Sequence, residues 1–263
     1  MDFSTYFDFE NENERPLERL VPDGGYTAIL RTVGCVGDSL SSGEFESTTP
    51  EGERGYHDMF EYSWGQFLAR MSGCTAYNFS RGGMTAKEYM ESFAEANGFW
   101  ADDKLCRAYI LALGVNDIIN AHQPVGSLAD VCLADWRRND FGTFAGCYAA
   151  IIQRLREKRP DARYFFVTMP KDENGRRCPA HSALLHEFTR VFPHSYVIDL
   201  DRFAPPHDLA FKKRFYMGGH LNAAGYLLTA KQIGSYIDWI IRHNPDDFTQ
   251  IGFVGTGLEN RTV

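Results

Sequence analysis

Short apolar, β-branched or aromatic runs alternate with longer amphipathic stretches through the middle of this chain, and that alternation restricts the possible folds more than any other feature. A stretch of period near two followed by one of period near 3.6 is the signature of a strand feeding a helix. Strands are predicted near 29–37, 74–79, 107–113, 162–169 and 195–200, and helices near 60–72, 85–97, 142–159, 180–192 and 222–243. Thr85 supplies a cap for the second helix, and Arg159-Pro160-Asp161 ends the third. Five strand–helix units of this kind predict an α/β fold, a three-layer α/β/α sandwich around about five parallel strands. Right-handed crossovers then bring the loop after every strand to one edge, so that Ser39, Ser80 to Gly83, Gly114 to Asp117 and Met169-Pro170 converge there.

A chain of 263 residues suits one such domain with insertions. We expect the domain over residues 26–243, an acidic N-terminal arm over 1–25 carrying Phe3, Tyr6, Phe7 and Phe9, and a tail over 244–263 packing on the domain. The arm is expected to cross its own domain or to meet a second copy in a homodimer. Two inserts, 41–59 and 118–141, follow the first and third strands and should overhang the edge where the loops meet.

Charge narrows the partners. Asp and Glu number 35 against 27 Lys and Arg, a net charge of −8, which disfavours nucleic acid. No apolar run approaches the roughly 20 residues that span a bilayer. Residues 1–13 lack a basic-then-apolar leader, so a cytoplasmic location is expected if Met1 is the native start, and secretion if a leader has been removed. The six cysteines include no Cys-x-x-Cys pair and read as free thiols. His181 and His186 are five apart and share no helical face, and no metal site emerges from the eight histidines.

Four segments carry chemistry. Gly37-Asp38-Ser39-Leu40 presents a hydroxyl where the first apolar run stops; by itself it is also an ordinary capped turn. Asn78-Phe79-Ser80-Arg81-Gly82-Gly83 is a glycine-bearing turn entering a helix, with backbone amides facing outward. Gly114-Val115-Asn116-Asp117 adds a carboxamide, although Asn116 and Asp117 could equally form a turn or cap. Gly218-Gly219-His220-Leu221-Asn222 opens the last helix with an imidazole, which alone would be an unremarkable surface histidine. Serine, base and proton donors in this order describe a site for acyl transfer without a cofactor.

These four segments resemble the blocks of the SGNH (GDSL-type) hydrolases, over roughly residues 28–243. The resemblance implies a flavodoxin-like sandwich and serine esterase activity through an acyl-enzyme. It implies Ser39 as nucleophile and His220 as general base, with an oxyanion hole from the Ser39 amide, the amide of Gly83 or of its neighbour Gly82, and Asn116. One position departs from the pattern: where the family carries an aspartate three residues before the histidine, this chain has Met217. Four readings follow. A backbone carbonyl at 216–218 could hold the ring, a Ser-His dyad that Gly218-Gly219 favours. Another acid could reach in: Asp208 is nearest upstream, with Asp199, Asp201 and Glu44 further away. The protein could be slow, or a silent member binding an acylated glycan or a protein partner. A flavin or nucleotide binder of the same fold is disfavoured, because Asp38 would repel phosphate. Aromatic residues of the inserts and of the loop before His220, including Tyr56, Trp64, Trp136, Phe211 and Tyr216, suggest a cleft for an acylated sugar or other small ester.

Overall fold

A computed structural model describes residues 13–172, 174 and 178–261. Its strands are β1 (Thr32–Gly37), β2 (Glu44–Thr48), β3 (Arg54–Asp58), β4 (Thr75–Ser80), β5 (Ala108–Ala112), β6 (Arg163–Val167), β7 (Ser195–Ile198), β8 (Tyr216–Met217) and β9 (His220–Leu221). Five of them form one parallel sheet in the order β4-β1-β5-β6-β7. Taken along the chain these are the second, first, third, fourth and fifth core strands, the flavodoxin-like order, whose switch point lies beside β1.

The helices follow the expected spacing: α1 (Ser39–Ser42), α2 (Trp64–Ser72), α3 over 86–96 with a π turn at Tyr89–Phe93, α4 (Phe144–Lys158), α5 (Pro179–Val191), α6 (Leu200–Phe203), α7 (Leu209–Phe215) and α8 (Ala223–His243). Thr85 caps α3 by accepting from the Glu88 amide at 3.0 Å, and Asn222 caps α8 by accepting from Gly225 at 3.0 Å. Because both faces of the sheet are covered, the central strands β1, β5 and β6 are buried almost throughout rather than alternating, while the edge strand β4 leaves Thr75, Tyr77 and Asn78 exposed. Ala108, Ile110 and Phe165 face α2 and α8, whereas Tyr109, Leu111 and Phe166 face α3, α4 and α5.

Gly34 lies in the middle of β1, between two rings. A methyl group added there would stand 2.7 Å from Tyr109 Cδ1 and 2.9 Å from Phe79 Cε2, atoms of stacked core aromatics that cannot swing aside. Gly34→Ala is therefore expected to destabilise the fold by about 1–3 kcal/mol. A urea titration checks this: the midpoint should fall at constant m-value, and an unchanged midpoint would show that the rings move freely.

The flanks pack onto α8 and the sheet. Trp239 Nε1 donates to the Glu14 carbonyl at 2.9 Å and the Val21 amide donates to Ser235 Oγ at 2.9 Å, while Arg242 bridges Glu14 and Asp238. Phe3, Tyr6, Phe7 and Phe9 lie outside the described residues. In the tail, Phe248, Ile251 and Val254 are buried. The insert at 118–141 differs from expectation. Only Ile119 and Asn120 reach the cleft, while Val125, Leu128, Val131, Trp136 and Phe141 pack against the core that α4 closes, since so many large apolar groups are more stable away from water. The insert at 41–59 does overhang the edge, as the antiparallel β2–β3 hairpin.

Candidate active site

The loops at the carboxyl ends of β1, β5 and β6, with the turn before the last helix, surround a cleft of about 690 Å³ whose walls include Ser39, Asn116, Met169, Gly219 and His220. Ser39 is the first residue of α1, and Asp38 caps that helix by accepting from the Leu40 amide at 3.1 Å. Burial drives the Asp38 carboxyl up to about 7, against the pull of the Leu40 amide and with the nearby Asp117 charge adding to it. Since this value lies above the ordinary one, folding takes up a proton, and stability falls as pH rises from the normal carboxylate range towards neutrality. Asp38→Asn keeps the cap and removes the charge. Its melting midpoint should exceed the parent's at about pH 8 and converge with it near about pH 4; a difference independent of pH would count against burial as the cause.

Beyond β4, the Gly82 amide is already committed, donating to Asp58 Oδ2 at 3.1 Å. Among the described residues no group takes the Gly83 amide. Beyond β5, Asn116 Nδ2 donates to the Met84 carbonyl at 3.1 Å, and its Oδ1 accepts from Asn120 at 2.8 Å. The carboxamide is thus clamped to the neighbouring loop while one hydrogen on Nδ2 remains uncommitted. Asp117 is buried and accepts from the Ala86 amide at 2.7 Å, so it caps α3 rather than serving the cleft.

His220 sits in β9, paired across a tight hairpin with Met217, whose side chain is 42% exposed. Its Nδ1 meets Glu46 Oε1 at 2.7 Å, and its Nε2 meets Glu44 Oε1 at 3.0 Å. Both carboxylates come from β2. Residues two apart on a strand share a face, so Glu44 and Glu46 point together at the imidazole while Phe45 turns the other way onto Tyr62 and Tyr226. Tyr226 Oη donates to the Glu44 carbonyl at 2.7 Å and fixes the strand's height.

Two expectations are corrected here. Asp208 does not reach the ring: it caps α7, accepting from the Phe211 amide at 2.8 Å. Nor does a carbonyl at 216–218 hold Nδ1. The Gly218-Gly219 turn has a different use, because a Cβ on Gly218 would fall 2.1 Å from Glu46 Oε2, and the Gly219 amide donates to Glu46 Oε1 at 2.6 Å. The glycines admit a carboxylate to the ring rather than their own backbone.

The surroundings push the two carboxyls in opposite directions. Burial works to raise Glu46, but hydrogen bonds from His220 and from the Gly219 amide outweigh it and hold the carboxyl below its usual range. Burial pushes Glu44 up, with Asp58 and Glu46 adding to the effect and His220 opposing it. Sequence reasoning named Glu44 but missed Glu46. The alternation Glu44-Phe45-Glu46 in an insert placed over the active edge was the available signal.

A serine, an imidazole and a carboxamide lining one cleft at the switch point of the sheet are the parts that an ester-bond hydrolase needs. A family model described as the GDSL-like Lipase/Acylhydrolase family matches residues 35–228, and the chain belongs to that family. No curated protein matches it. Among solved structures it is similar to a family two carbohydrate esterase from Clostridium thermocellum in complex with cellohexaose, at 15% identity and a TM-score of 0.55, covering 89% of this chain and 66% of that one. It is also similar to a GDSL-like protein from Bacteroides ovatus, at 17% identity and a TM-score of 0.54, over 79% and 98% of the two chains. A third similar structure is a carbohydrate esterase family 2 enzyme plus carbohydrate binding domain from Myceliophthora fergusii, at 14% identity and a TM-score of 0.52, over 79% and 65%. The chain thus spans just under two thirds of the two carbohydrate esterases. Among the described residues no helix is long and apolar enough to cross a membrane.

Proposed function

We propose that this hydrolase works through a Ser39–His220–Glu46 triad whose acid comes from the β2–β3 hairpin in place of the position held by Met217. The observation that carries this reading is Glu46 Oε1 at 2.7 Å from His220 Nδ1, in the cleft that Ser39 lines. Ser39 Oγ attacks the ester carbonyl carbon as His220 Nε2 takes its proton, and the carbonyl electron pair moves onto oxygen. The amides of Ser39 and Gly83 and the free hydrogen of Asn116 Nδ2 stabilise that oxyanion. Collapse expels the alcohol, which carries away the proton from Nε2, and water then releases the acid from Ser39 by the same steps in reverse. No cofactor takes part.

For Nε2 to receive a proton, the Glu44 carboxyl at 3.0 Å must give way to the serine hydroxyl. Glu46 keeps its place throughout and stabilises the imidazolium from the other side. The alcohol side of the ester is assigned to a carbohydrate. Support comes from the open cleft of about 690 Å³ and from Tyr56, which is 55% exposed and stands edge-on to His220 with ring centroids 6.0 Å apart, a surface on which a sugar can stack. The esterase neighbours add a fold-level analogy. The catalytic domain is assigned to residues 26–243, with 1–25 and 244–263 as its flanks.

An alkyl fluorophosphonate tests the nucleophile. The reagent is expected to add one phosphonyl group to the Ser39 peptide and none to Ser39→Ala, read by mass spectrometry. Labelling at another residue, or none at all, would remove Ser39 from the mechanism.

A further inference from the structure

Beside the open cleft lies a second, smaller space of about 80 Å³, set into the carboxyl edge of the sheet between β5, β6 and α8. Its walls are mostly apolar, Trp64, Leu113, Val167, Leu200 and Ile233, with Thr168, Thr229 and Gln232 among them. Asp38, Leu40, Val115, Met169, Pro170 and His207 line both spaces, so the two join next to Ser39, whose chain neighbours on either side belong to both. A serine set where a small pocket joins a much larger cleft faces an ester whose two arms must go different ways.

We infer that the small pocket receives the acyl chain and limits it to short acids, acetyl to butyryl, while the alcohol lies in the open cleft. The inference rests on the proposed function of Ser39. Size sets the limit. A dry apolar cavity of about 150 Å³ takes benzene, with its six carbons, so a pocket of 80 Å³ has room for about three carbons beyond the carbonyl. The walls cannot retreat to admit more, since Trp64, Leu113, Leu200 and Ile233 are buried core residues on the strand ends and helices rather than on a mobile surface. The chemistry of the pocket agrees with its size: mostly apolar walls disfavour a sugar, most of whose hydroxyls would lose their hydrogen bonds to water there.

A series of p-nitrophenyl esters from acetate to decanoate tests the inference, with kcat/KM read for each. The parent protein should turn over acetate to butyrate and lose at least about tenfold by octanoate, since one methylene in an apolar pocket is worth about tenfold or more. Thr229 lines the pocket one turn of α8 before Ile233 and is partly exposed, so bulk can be added there without disturbing the core. Thr229→Leu should lower the butyrate-to-acetate ratio about tenfold, and Ile233→Ala should raise the hexanoate-to-butyrate ratio by a similar factor. If Ile233→Ala does not fold, the Thr229→Leu ratio decides alone. A preference of the parent for octanoate, or a chain-length profile that Thr229→Leu leaves unchanged, would overturn the acyl pocket. Hydrolysis that persists in Ser39→Ala would instead overturn the function on which it rests.

Discussion

Ser39→Ala is expected to lower kcat for a short-chain ester by roughly 10⁶-fold, the scale on which removing a serine nucleophile acts when its base and oxyanion donors stay in place. The loss should appear in kcat, because the hydroxyl contributes a bond that exists only after substrate has bound. Folding should survive. Ser39 is a half-buried residue of a single helical turn whose cap, Asp38, is untouched, and among the described residues no hydrogen bond depends on its hydroxyl. Far-UV circular dichroism and the thermal midpoint of the variant should match the parent's. A variant that keeps more than about one hundredth of the rate would place the nucleophile elsewhere.

Glu46→Gln is expected to cost about 10⁴-fold in kcat, as replacing the orienting acid by its amide does in serine proteases. Two effects add up. The amide can present its nitrogen to Nδ1, which turns the ring to the wrong tautomer and leaves Nε2 protonated before it can act as a base. The charge that stabilises the imidazolium is also lost. A merely structural role for Glu46 would lower stability and leave chemistry intact, so the pH profile separates the two. In the parent, the depressed carboxyl of Glu46 stays ionised well into the acid range, and its support for the histidine is lost only as pH falls through that low value. In Glu46→Gln the rate should instead keep rising with pH, as hydroxide in solution begins to compete with the impaired base. Glu46→Asp should recover little, because a side chain one carbon shorter cannot span from β2 to the ring. Full activity in Glu46→Gln would return the protein to a serine–histidine dyad.

Much of this site could be read from the residue order. Ser39, Asn116 and His220 come to one cleft because each follows a core strand or precedes the last helix, and the parallel sheet gathers those loops at one edge. The choice between Gly82 and Gly83 was not legible, since it depends on Asp58 reaching across from β3 to take one amide. The sequence places residues 41–59 in an insert over the sheet edge but marks no strands there. The strands of the β2–β3 hairpin, Glu-Phe-Glu-Ser-Thr and Arg-Gly-Tyr-His-Asp, are polar and mostly exposed, so they lack the apolar run that marks the five core strands. Trp136 was read as a possible wall of the cleft for the opposite reason. Its aromatic character was plain, but its direction is set by packing against Arg154 and the α4 core.

Periodic burial is written between near neighbours along the chain, which is why the sheet, its helices and the loops that bear Ser39, Asn116 and His220 follow from residue order alone. The partner of an imidazole nitrogen is written nowhere along the chain. Glu46 and His220 are 174 positions apart and meet only because a polar hairpin folds over the sheet edge while two glycines leave room for a carboxylate. A hydrogen bond at 2.7 Å is a condition on coordinates, and folding alone supplies it.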